Sequence, residues 1–293
     1  MPDAPDPDPV IRQLISWAAR QDAVRAMLLT STRAVPNATV DDLSDHDVIL
    51  VVRDVAPFVQ NRSWIEVFGE VLVAYWDPVD AGMDFNRDHC GNVVRYADGL
   101  KIDFTLWPVS HLTAVVERDA LPAELDAGYR VLLDRDCLTV RLRPPTYAAY
   151  RPVRPDESEF QAAINDFFSD VPYVAKCVRR GDLFPLKWVL DFDMMHVYLR
   201  PMLEWWVGCA EGWSRSVGSL GKGLRHRLPD DIWRELEASY AGGSMAENAE
   251  ALFRTVGLYR RVAMDVGRQL GYTYPIEKDE RVTAYARRLI EGE

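Results

Sequence analysis

The sequence predicts an α+β protein: a mixed sheet with helices against it, followed by an all-helical bundle. Three observations carry this expectation. Residues 1–150 alternate short apolar runs with turn residues, the pattern of strands. Residues 151–293 instead carry long segments whose apolar positions recur three and four apart, the period of a helix buried on one face. Between them, Arg143-Pro144-Pro145 through Arg151-Pro152-Val153-Arg154-Pro155 holds too much proline for a helix or a central strand. The boundary falls there, giving one domain over 1–150 and a second over 151–293.

Taken in order, the first helix follows Asp8-Pro9, a cap and a tolerated first-turn proline, with Val10, Leu14, Trp17 and Ala18 on its apolar face. Val24 to Leu29 reads as a strand and 30–44 as a polar loop. Val48 to Val52 is a continuous aliphatic strand of the type buried on both faces. A helix is expected over 55–68, stopped at Gly69, and then a strand over 71–76. Strands 93–96 and 100–106 flank Asp98-Gly99, a strong hairpin signal. The second domain is predicted as helices over 157–180, 184–209, 230–240, 244–270 and 281–290.

The chain has 293 residues, 48% of them hydrophobic, enough for a sizeable core, and a net charge of -11. A pI near 5.0 argues against a protein that grips nucleic-acid phosphates, which carries a basic footprint. Excess carboxylate suits a binder of cationic small molecules or simply keeps the chain soluble. The excess is concentrated: 23 Asp+Glu face 14 Lys+Arg in residues 1–150, against 22 and 20 afterwards. Cys90, Cys137, Cys177 and Cys209 form no paired spacing and no zinc pattern, which fits a reducing cytoplasm. The N-terminal Asp/Pro tail lacks the basic start and apolar middle of a signal peptide, and the longest aliphatic run is far too short to span a bilayer.

The most informative local feature is Asp45-His46-Asp47 entering the aliphatic strand. Period-two geometry points both carboxylates to one side. Carboxylates so close repel unless a cation lies between them, and hard oxygen ligands select Mg²⁺. Asp-x-Asp at a strand start also serves as turn or capping chemistry, so further signals matter. One is Asp103 in Lys101-Ile102-Asp103-Phe104-Thr105-Leu106, where alternation places Lys101, Asp103 and Thr105 on one face. Another is Ser31-Thr32-Arg33 at the end of the first strand, where backbone N–H groups and hydroxyls cradle phosphates. Together they point to a triphosphate site with two metal ions.

These residues resemble a known family. Asp45-His46-Asp47, the hydroxyl pair before it and Gly99 to Pro108 look like the core of the aminoglycoside 6-adenylyltransferases, the streptomycin adenylyltransferases of the nucleotidyltransferase superfamily. The likeness continues through Trp64 to Gly69, Val131 to Asp136, Pro172 to Lys176 and Ser216 to Gly218, and ends near Tyr272-Thr273-Tyr274-Pro275. It implies a polymerase-beta-like nucleotidyltransferase domain, a helical domain closing a cleft, ATP with Mg²⁺, and transfer of AMP to an aminoglycoside hydroxyl. By this resemblance Asp45, Asp47 and Asp103 are the metal carboxylates, while Ser31, Thr32, Arg33, Lys176 and Lys222 meet the nucleotide. The base for the acceptor hydroxyl falls at Asp193, counted back from Arg200-Pro201, with Asp191 as the alternative. Membranes and nucleic acid are not implied as partners.

The chain departs from the family pattern at two places. The family's Gly-Ser pair is Ser31-Thr32 here, which puts a Cβ where glycine allows positive φ and close approach. Around Asp193, Met194 and His196 replace the family's His and Asn, changes that fall in the acceptor pocket. They leave open a homologue that binds without transferring, or one acting on another natural product or a protein.

Overall fold

The computed structural model describes residues 6–36, 38–78, 84 and 89–292. The first five residues of the Asp/Pro tail lie outside the described residues. The chain divides into two compact units, Met1–Ala149 and Tyr150–Glu293.

The first unit opens with α1 (Pro9–Ala18), capped by the Asp8 side chain, which accepts from the amides of Val10 and Ile11. A six-stranded mixed sheet follows, with β1 (Val24–Thr30), β2 (His46–Val52), β3 (Val71–Trp76), β4 (Cys90–Tyr96), β5 (Lys101–Pro108) and β6 (Tyr129–Asp134). The spatial order is β3-β4-β5-β2-β1-β6. Only β2 and β5 run parallel; every other pairing is antiparallel. The Asp98-Gly99 hairpin forms as expected, with Gly99 at φ 92 and the Tyr96 amide bonded to the Leu100 carbonyl at 2.8 Å.

Both faces of the central strands are covered, which explains why the aliphatic run of β2 does not alternate. Val48, Leu50 and Val52 pack with Leu14, Trp17 and Phe104 on one side. Ile49 and Val51 pack with Trp107, Leu112 and Val115 on the other. The short α2 (Ala56–Gln60) precedes β3; Leu112 and Val115 come from α3 (Val109–Val116), and Leu125 adds to that layer from the short α4 (Ala123–Asp126). The expected helix over 55–68 is broken. It stops after Gln60 because Asn61 is extended (φ -113, ψ 102), and the Asn61 side chain caps a separate 3₁₀ segment, Arg62–Phe68, through the Ser63 amide.

The second unit is helical: α5 (Glu157–Arg180), α6 (Leu183–Lys187), α7 (Arg200–Glu211), α8 (Asp230–Ala238), α9 (Met245–Leu270) and α10 (Ile276–Glu291). A π-helical stretch, Trp188–Leu199, joins α6 to α7 within the segment expected as one helix. The last helix begins a turn earlier than expected. α5 carries a full capping box, with the Asp156 and Glu159 side chains exchanging bonds with each other's amides, and ends at left-handed Gly181. Phe160, Phe167, Leu190, Leu203 and Tyr259 are among the side chains of its core. No helix among the described residues is long and apolar enough to cross a membrane.

Candidate active site

The parallel pairing of β2 with β5 sets Asp47 opposite Asp103 in register. Both lie on the face of Ile49, Val51 and Trp107, at the end where the apolar packing stops. Two carboxylates on neighbouring strands of one face are thereby forced together by sheet geometry. Burial pushes the Asp47 carboxyl above the ordinary carboxylate range and Asp103 pushes it the same way, against smaller opposing effects of Ser31 and Lys101.

Asp45, two residues earlier, precedes β2 and is engaged by a cation. It forms an ion pair with the Lys101 ammonium, which also bonds Asp103 Oδ2 at 2.8 Å. Burial works against the Lys101 charge, but the bonds to Asp103 and Asp45 outweigh it and raise its pKa. The other oxygen of Asp103, Oδ1, is buried with no hydrogen-bond partner. An orphaned carboxylate oxygen beside a second, partly buried carboxylate is a cation-binding arrangement, so Asp47 and Asp103 fit a hard divalent ion. Among the described residues no set of three His, Cys, Asp or Glu side chains is arranged to hold a metal, and Asp45 is paired with Lys101.

A cavity of about 480 Å³ opens over this face, lined by Thr30, Asp47, Asp103, Thr105 and Trp107 among others. At its edge the chain leaves β1 in a tight 3₁₀ turn, Ser31–Ala34. Ser31 holds φ 60, a left-handed conformation that L-residues adopt at a cost and glycine adopts freely. Ser31 and Thr32 are exposed there. The Arg33 guanidinium is taken up within the protein: Nε donates to the Asp45 carbonyl at 3.1 Å, Nη2 to the Ser44 carbonyl at 2.9 Å and Nη1 to Asp8 Oδ2 at 2.9 Å. That same Asp8 oxygen lies 3.0 Å from Nε2 of buried His46. The side chain that caps α1 therefore also ties down both the phosphate-side turn and the Asp45-His46-Asp47 segment. Burial works against the Asp8 charge, but His46 and the amides of Ile11 and Val10 hold its carboxyl below the ordinary range.

Asp193, Lys176 and Lys222 belong to the second unit. Lys176 is exposed on α5, and Lys222 is exposed just after the short turn Ser219–Gly221. Asp191 is paired with Lys187 at 2.7 Å, whose ammonium also bonds the Ala241 carbonyl and Asn248 Oδ1. Asp193, half-buried, lies close enough to Asp170 of α5 to add to the burial that raises the Asp170 carboxyl. Trp188, Phe192 and His196 form a stepped row of rings one helical turn apart beside it. Asp8, His46, Lys101 and Asp170 complete these clusters, with no sequence pattern that singles out the first three as site residues. For Asp170 the available signal was the like-charge pair Asp166 and Asp170, which sits four residues apart on one helix face.

The family model for streptomycin adenylyltransferase matches residues 7–289. The chain belongs to the streptomycin adenylyltransferase family. Curated members of similar length align along nearly all of it. The aminoglycoside 6-adenylyltransferase of Bacillus subtilis is 28% identical over 279 residues, 92% of this chain and 93% of that protein. Those of Campylobacter jejuni and Staphylococcus aureus are each 26% identical, covering 94% and 91% of this chain and 92% of each relative. A solved aminoglycoside 6-adenyltransferase from Bacillus subtilis superposes with a TM-score of 0.43 at 23% identity, over 96% of this chain and 98% of that one. Ser31 is the residue at which the sequence resemblance expects glycine. Its φ of 60 shows that the turn keeps the glycine-like backbone although a side chain is attached.

Proposed function

We propose that this protein transfers AMP from ATP to a hydroxyl of a cationic aminoglycoside such as streptomycin, releasing pyrophosphate and inactivating the drug. The observation that carries the reading is the in-register pair Asp47 and Asp103 with the orphaned Asp103 oxygen, at the mouth of a cavity beside a glycine-like phosphate turn. Family membership supports the same chemistry.

Asp47 and Asp103 would hold Mg²⁺, with Asp45 next to them in an ion pair with Lys101. When bound, the ion offsets charge on the phosphates as the bond to the leaving group breaks. Ser31 and Thr32 present hydroxyls and turn amides to phosphate oxygens. Lys176 and Lys222 provide positive charge for the triphosphate and the departing pyrophosphate. Asp193 takes the proton of the acceptor hydroxyl as its oxygen bonds to the α-phosphorus and the bond from that phosphorus to the β-phosphate oxygen breaks. Its neighbour Asp170 adds negative charge that suits an ammonium or guanidinium of the acceptor. Asp191 is the weaker candidate base because its carboxylate is already engaged by Lys187.

Pyrophosphate release in the presence of ATP, Mg²⁺ and a panel of aminoglycosides tests the reading. Release that depends on both the drug and Asp47 supports it. Nucleotide binding without release on any drug favours instead a non-transferring homologue, the alternative that the side chain at Ser31 suggests.

A further inference from the structure

Lys101 occupies an unusual position for a lysine. It precedes Asp103 by two residues on β5 and so shares the face of Asp103 and Thr105. Its side chain is 14% exposed, less than either carboxylate that it bridges, Asp45 at 37% and Asp103 at 27%. A lysine usually keeps its ammonium in water and buries only its stem. Here the side chain is largely buried and its ammonium is held between two carboxylates, Asp103 on β5 and Asp45 just before β2.

The two oxygens of Asp103 divide the site. Oδ2 bonds Lys101, while Oδ1 is buried and without a partner, with Asp47 in register beside it. Asp45, Asp47 and Asp103 carry three negative charges and Lys101 one positive charge. A single divalent ion on Asp47 and Asp103 offsets the two that remain within this cluster; Asp77 and Glu124 also line the cavity, Asp77 accepting from the Gly91 amide. A second divalent ion on Asp45 would have to share that carboxylate with an ammonium already in contact with it, at the cost of like-charge repulsion.

We propose that Lys101 takes the place of a second metal ion: the site binds one divalent cation, on Asp47 and Oδ1 of Asp103, and the Lys101 ammonium is the fixed positive charge between Asp103 and Asp45. Lys101 is thus a positioning residue that holds Asp45 out of the metal's ligand set. This inference rests on the metal-site reading given under the proposed function, and replaces the two ions expected from sequence with one ion and one lysine.

The test counts bound Mn²⁺ on the full chain, treated with chelator and then titrated, by the loss of the free-ion electron paramagnetic resonance signal. The wild type is expected to bind one Mn²⁺, Lys101→Arg one, and Lys101→Met two. Circular dichroism establishes that each variant is folded, and Lys101→Gln serves as a second uncharged variant should Lys101→Met fail to fold. Two Mn²⁺ on the wild type, or one on a folded uncharged variant, overturns the inference while leaving the metal site standing. No Mn²⁺ on the wild type, or binding indifferent to Asp47→Asn, overturns the metal-site reading and this inference with it.

Discussion

Asp47 of β2 and Asp103 of β5 are direct neighbours across the one parallel pairing of the sheet. Their proximity raises the Asp47 pKa, after burial itself, and gives a prediction about stability. A carboxyl whose folded pKa is raised binds its proton more tightly in the native state. Its contribution to stability is complete below the ordinary carboxylate pKa and is lost as pH rises through the raised value. In the presence of chelator, wild-type stability is therefore expected to fall across that window, and Asp47→Asn to remove that part of the pH dependence. Urea unfolding at a series of pH values measures both. In activity, Asp47→Ala is expected to lose roughly 10³-fold or more, about 4 kcal/mol of transition-state stabilisation.

Ser31 is the next test. A left-handed φ of 60 costs an L-residue about 1 kcal/mol relative to glycine. Ser31→Gly is expected to recover part of that amount in chemical unfolding, less the Ser31 hydroxyl's bond to Asp47 and what glycine adds to the freedom of the unfolded chain. It also removes a Cβ from the turn that faces the nucleotide, so the KM for ATP is expected to fall. A Ser31→Gly protein that is less stable and binds ATP no better would contradict the glycine-like reading of this turn.

Asp8 serves three partners: the amides of α1, Arg33 and His46. Losing a cap costs about 1 kcal/mol, and leaving a charged partner without its bond costs about 1–3 kcal/mol more. Asp8→Ala is therefore expected to destabilise the fold by about 2–4 kcal/mol. Because Arg33 and His46 flank the Asp45 and Asp47 segment, kcat is expected to fall as well. Asp8→Asn, which retains a capping oxygen, is expected to recover most of the stability but less of the kcat. Equal recovery of both would reduce Asp8 to a helix cap.

Asp193 and Asp191 are separated by their partners. Asp191→Asn breaks an ion pair with Lys187 and is expected to cost stability, up to about 1 kcal/mol for this half-exposed pair, with kcat retained. Among the described residues Asp193 makes no ion pair or hydrogen bond, and its charge opposes that of Asp170, so Asp193→Asn is expected to keep the thermal midpoint or raise it slightly. It is expected to lower kcat by about 10²-fold or more, in the range of a general base. The reverse pattern would move the base to Asp191.

Much of this site was legible because its residues lie on regular strands. Alternation alone put Asp103 with Lys101 and Thr105; it also expected Asp45 beside Asp47, but Asp45 precedes β2 and is taken up by Lys101. The parallel register joining Asp47 to Asp103 was not legible, since it depends on pairing across more than fifty residues of chain. Nor was the engagement of Arg33: its partners Asp8, Ser44 and Asp45 are distant or offer only backbone carbonyls, which no residue pattern marks. β6 is a half-exposed edge strand with little alternation, so no pattern marks it. The helix expected over 55–68 failed at Asn61, whose side chain caps a new segment as readily as it continues an old one. In the helical unit, periodicity recovered every long helix but gave no sign that residues 188–199 are wound as a π-helix.

The central claim is AMP transfer to a cationic drug, and its most direct test is mass spectrometry of streptomycin and related aminoglycosides after incubation with the protein, ATP and Mg²⁺. The account predicts a drug carrying one added AMP, formed in step with pyrophosphate and absent with Asp47→Ala. Unmodified drugs across the whole panel, or the same adduct formed by Asp47→Ala at the wild-type rate, would contradict it.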